Sequence, residues 1–142
     1  MKNVINKRLL GYIKRFTIVH VITYILAGVI FMNLQDYENA FATLQDFEHF
    51  RSLSSPIVKA TGFFQIIRGI FIALVLYPFY DSIIRSKNGW LKLFGVLWGL
   101  TFLVSVKSSK NLMIGSLEVT IQMIIFSWLF FIWERKAYKI NN

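Results

Sequence analysis

One stretch constrains this chain more than any other. Residues 59–81, KATGFFQIIRGIFIALVLYPFYD, are apolar enough to cross a bilayer and yet carry Gln65 and Arg68. An arginine near the centre of a membrane helix costs roughly 2.5 to 3.5 kcal/mol on insertion scales, so Arg68 is expected to face protein and to find a partner. Composition supports the same reading. With 56% hydrophobic and 17% aromatic residues among 142, and a mean hydropathy of +0.54, the chain is expected to be an all-α polytopic membrane protein with a single membrane domain.

The remaining bulk properties exclude more than they assign. There are no cysteines, hence no disulfide framework, thiolate metal site or cysteine nucleophile. The net charge of +9 would suggest nucleic acid in a soluble protein. Here the basic residues lie beside apolar runs, where they set topology and meet anionic lipid headgroups, so no nucleic-acid partner is expected. There is no nucleophile motif and no Gly-rich phosphate loop. Neither an enzyme nor a cofactor is expected.

Four spans are predicted, at about 16–34, 57–80, 90–106 and 112–133. The N-terminal MKNVINKRLLGYIKRF reads as a cytoplasmic interfacial segment leading into an uncleaved first span, whose inward face holds Thr17, His20, Tyr24, Ala27 and Gly28. The connection 35–55 carries four of the seven acidic residues, and Tyr37, Phe41, Leu44 and Phe47 keep helical spacing, which predicts an interfacial amphipathic helix. Asp46 and His49 are spaced for a cation, but without a full ligand set a solvated acidic face is the simpler reading. The echo of LQDYE in LQDFE, ten residues apart, matches no helical repeat.

Ser54-Ser55-Pro56 marks a helix start. In the second span Thr61, Gln65, Arg68 and Ile72 share a face, and Gly69 with Ala73 forms a small-xxx-small site for close helix approach. Pro78 is expected to bend the inner end, and Asp81 with Arg85 is a surface pair at helical spacing. Asn88-Gly89 is a turn. The third span is the shortest and depends on Lys92 and Trp90 to reach the interface; it presents Gly95 and Gly99 on one face and Trp98, Thr101 and Ser105 on another. On the fourth, Glu118 and Gln122 oppose Ser116, Thr120 and Ser127, so either both sides contact protein or the serines and threonine bond their own backbone.

The distribution of basic residues puts both termini in the cytoplasm. Arg68 then lies nine residues past Lys59, and Glu118 eight past Lys110, each about 12 to 14 Å from the outer surface. At matched depth they are natural partners. The predicted buried column runs Arg68, Glu118 and Gln65, then Gln122, Tyr24 and His20, with Thr101 level with its upper part. Two functions fit it: a transporter or oligomeric channel for an ion or small amphiphile in the plasma or inner membrane, or a non-catalytic module that binds a membrane protein partner or lipid headgroups. A homo-oligomer is the expected form of a channel this small. In size and span number the chain is similar to the small multidrug transporters, but residues 16–34 contain no acid to match their first-span glutamate, so nothing is carried over from them.

Overall fold

A computed structural model describes residues 2–34, 56–105 and 112–140, all of them helix or short turns with no strand. Helix α1 (Lys2–Leu34) is followed by α2 (Pro56–Leu76), a 3-10 turn (Tyr77–Phe79), α3 (Tyr80–Ile84), α4 (Gly89–Ser105) and α5 (Leu112–Ile140). The predicted interfacial helix and the Asp46/His49 pair lie outside the described residues. Three stretches, Lys7–Met32, Gly62–Ile84 and Gly115–Lys139, are long and apolar enough to cross a membrane. Helix α4 has 17 residues and spans about 26 Å, short of a typical hydrocarbon core of about 30 Å. This is the make-up of a membrane protein.

The helix boundaries follow from the residues that set them. Pro56 opens α2, where its missing N–H is no loss. Pro78 sits in the 3-10 turn, which tightens the chain before α3 resumes. The chain then turns through Ser86 and Asn88: Gly89 N–H donates to the Ser86 carbonyl at 3.3 Å, and the Asn88 carbonyl accepts from Leu91 and Lys92 as α4 begins. The basic N-terminal segment is not a separate surface piece. It is continuous with the first span in one 33-residue helix.

The main packing contacts run α2 to α1, α1 to α5 and α5 to α4, with α3 closing onto α4 and α5 at one end. Each buried stripe shows the three- and four-residue steps of a helix face. On α1 it is Tyr12, Phe16, Val19, Thr23, Ala27 and Phe31; on α5 it is Val119, Met123, Phe126, Phe130 and Glu134. On α2 it is Gln65, Gly69, Ala73 and Leu76, continued by Tyr80. Gly69 lets α1 approach closely, since a Cβ there would stand 3.3 Å from the Thr17 Cα and 3.2 Å from the His20 ring. The small-xxx-small site is therefore used within the chain. Gly95 and Gly99 are different: a Cβ at either would meet open space.

Many large apolar side chains on the outside of every long helix remain exposed, including Phe63, Phe64 and Phe71 on α2 and Trp128 and Trp133 on α5. A surface of that kind is matched to hydrocarbon rather than to water.

Candidate functional site

Contacts that join α1, α3 and α5 centre on Glu134, in the last turns of α5. Glu134 is 1% exposed and accepts from Arg15 twice, from Nε at 2.5 Å and from Nη2 at 2.9 Å, and from the Tyr80 hydroxyl at 2.7 Å. The two-pronged geometry is the one in which guanidinium and carboxylate planes match. Aromatic rings wall it off. Tyr12 packs edge-on against Tyr80 at 5.3 Å and Phe130 at 5.6 Å, and lies 5.4 Å from Tyr77. A carboxylate that accepts from a guanidinium twice and from a hydroxyl once is a lock that ties α1, α3 and α5 together.

A more exposed group sits outside this lock. Arg8 donates to Asp81 Oδ1 at 2.8 Å, and Arg85 Nε approaches the same oxygen at 3.3 Å. The Asp81–Arg85 surface pair is thus present, with Arg8 added to it. Arg8 also lies over the Tyr80 ring at 4.2 Å. None of these residues except the Asp81–Arg85 pair is prominent in the sequence as a site.

The predicted column is assembled in part. His20 and Gln65 are both buried and in contact, with His20 Nε2 3.2 Å from Gln65 Oε1. Tyr24 lies beside Gln65 and within electrostatic range of both Arg68 and Glu118; His20 is within range of Arg68. Five of the seven predicted residues therefore belong to one neighbourhood on α1, α2 and α5. Gln122, one turn from Glu118, is half-buried. Thr101, on α4, is half-buried too, and α4 packs on the far side of α5.

Arg68 does not occupy the place expected of it. Its side chain is exposed, Glu118 is half-buried, and the ion pairs among the described residues are those of Arg8, Arg15 and Arg85. The reason is angular. At 100° per residue Arg68 stands about 60° from Gln65 and about 100° from Gly69, at the edge of the stripe that packs on α1. A shared-face argument over three residues is too coarse to separate flank from centre. Arg68 is exposed, one turn from Phe64 and from Phe71, which are themselves exposed.

The second polar face of α5 is covered within the chain. Thr120 Oγ1 accepts from the Trp98 indole at 2.9 Å and donates to the Ser116 carbonyl at 2.7 Å. Ser127, fully buried, lies two turns further along the same side. At Thr120 that face meets α4. Comparison with protein-family models, curated proteins and solved structures finds no match for this chain.

Proposed function

We propose that the protein crosses the membrane four times with both termini in the cytoplasm, and that it moves or carries a small ion or amphiphile past the Arg68, Tyr24 and Glu118 face. Support for the orientation comes from charge. The end of the molecule where α1 starts and α5 finishes gathers residues 2–15, 81–92 and 134–140, with eleven basic side chains against two acidic. The rest of the chain holds five of each, so the whole net charge of +9 belongs to one end. Positive charge of that density is retained on the cytoplasmic side.

A cysteine-free chain makes the topology simple to test. Single substitutions Asn6→Cys, Asn39→Cys, Asn88→Cys and Asn141→Cys are expected to label from outside intact cells at position 39 alone. Labelling at 141 from outside would remove α4 from the set of spans.

The observation that carries the functional reading is the exposed Arg68 set beside buried polar groups. A cation on a lipid-facing helix surface, more than a turn inside the apolar stretch that begins at Gly62, is costly without an anionic partner. A passing anion or the acidic head of an amphiphile supplies one, and Tyr24, Gln65 and His20 behind it continue a polar route. In liposomes, purified protein is expected to move such a solute, with Glu118→Gln lowering the rate about tenfold or more. Arg68→Leu is expected to abolish movement while leaving thermal stability unchanged or raised, because an exposed charge in hydrocarbon is removed. Equal loss of stability and flux would return Arg68 to a structural role.

The interaction-module reading keeps one specific observation in its favour. The Arg15, Glu134 and Tyr80 lock and its aromatic walls fill the cytoplasmic end with packed side chains. Absence of flux across anions, protons and acidic amphiphiles would put that reading first, and a membrane protein partner or a homo-oligomer would then be sought by crosslinking.

A further inference from the structure

We infer that the Arg8 and Arg85 pair on Asp81 is a binding site for a phosphate oxyanion at the membrane surface, separate from the Arg68 face. Two guanidiniums share one carboxylate oxygen, at 2.8 Å and 3.3 Å, so the group keeps a net positive charge that Asp81 alone does not cancel. Arg8 is held in place by rings as well as by charge: its guanidinium lies 4.2 Å from the Tyr80 centroid and 5.4 Å from that of Tyr138, and Arg85 stands 5.7 Å from the Tyr138 centroid. Arg8 Nε is buried with no hydrogen-bond partner among the described residues, so aromatic contacts and Asp81 hold this guanidinium without saturating it. Its side chain is 35% exposed and that of Arg85 62%, leaving outward-facing donors on both.

Planar guanidinium forks pair with phosphate oxygens in the same two-pronged way as with carboxylate. Tyrosines and arginines at the end of a span are also placed at headgroup level. The ligand chemistry is therefore a phosphate group carried by an anionic lipid or by a soluble phosphoester. A zwitterionic headgroup fits less well, because its cation would meet two arginines.

Native mass spectrometry of the full-length protein in mild detergent tests this with phosphatidylglycerol, phosphatidylcholine and inorganic phosphate. One phosphatidylglycerol is expected to be retained, with affinity at least about tenfold above that of the double variant Arg8→Gln/Arg85→Gln. The variant Lys87→Gln/Lys136→Gln removes the same charge from the same end and is expected to stay within about twofold of the wild type. Asp81→Asn keeps both guanidiniums, removes their competitor and is expected to tighten binding, a gain that misfolding does not imitate. Displacement of the lipid by inorganic phosphate at equal concentration assigns the site to soluble phosphoesters, and persistence assigns it to lipid. The proposal is overturned if the arginine and lysine double variants lose affinity equally, or if Arg8→Gln/Arg85→Gln binds like the wild type.

Discussion

Glu134→Leu is expected to cost roughly 3 to 5 kcal/mol of stability, because removing one member of a buried pair leaves the other uncompensated. Glu134 is the acceptor for three donors on two helices, so its loss strands Arg15 and the Tyr80 hydroxyl together. Arg15 keeps 20% of its side chain exposed, which places the expected cost at the low end of that range. The measurement is thermal or denaturant unfolding in one detergent for Glu134→Leu, Arg15→Leu and the double variant. The double is expected to be more stable than Glu134→Leu, with a coupling of about 2 kcal/mol. Tyr80→Phe, which removes a single bond, is expected to cost about 1 kcal/mol. Additive effects of the two single substitutions would mean that the observed geometry contributes nothing to holding α1 against α5.

The same pair shows where sequence reading stops. An all-helical chain with apolar exteriors was legible because a bilayer demands long apolar runs, and Pro56, Pro78 and Asn88-Gly89 punctuate them; of the four expected spans, three are long and apolar enough to cross. Arg15 and Glu134 were not legible, because charges flanking such a run are ordinarily interfacial and pair with water or lipid. A signal was nevertheless present. Val119, Met123, Phe126 and Phe130 step by four, three and four residues, and one further step of four reaches Glu134. Following the stripe past the end of the hydrophobic run would have put that carboxylate in the core and required a donor there. Arg15 sits one step from Phe16 on a helix whose face continues through Tyr12.

The column was legible by composition and only partly by geometry. His20, Gln65 and Tyr24 are polar residues on helices that must pack; His20 and Gln65 are buried against one another, and Tyr24 beside them is half-buried. Arg68 and Glu118 were matched by depth alone. Depth fixes one coordinate of a side chain on a helix; the angle about the axis is the other, and it places Arg68 at the flank.

Gly89→Ala is expected to be among the most damaging single-methyl changes in the chain. A Cβ at this position would overlap the Ile83 carbonyl oxygen and stand 2.6 Å from Phe131 Cε2. The ring has some freedom, but the carbonyl belongs to α3, and moving it shifts the backbone where α3 closes onto α4 and α5. Overpacking of this kind costs about 1 to 3 kcal/mol where side chains give way, and more where backbone must. We therefore expect at least about 3 kcal/mol for alanine and failure to fold for valine. Gly95→Ala is the matched control on the same helix: its Cβ meets open space, so the helix-propensity gain of about 1 kcal/mol is realised unopposed. Thermal unfolding in one detergent reads both. A wild-type midpoint for Gly89→Ala would show that α3 and α4 do not approach as closely as the turn requires.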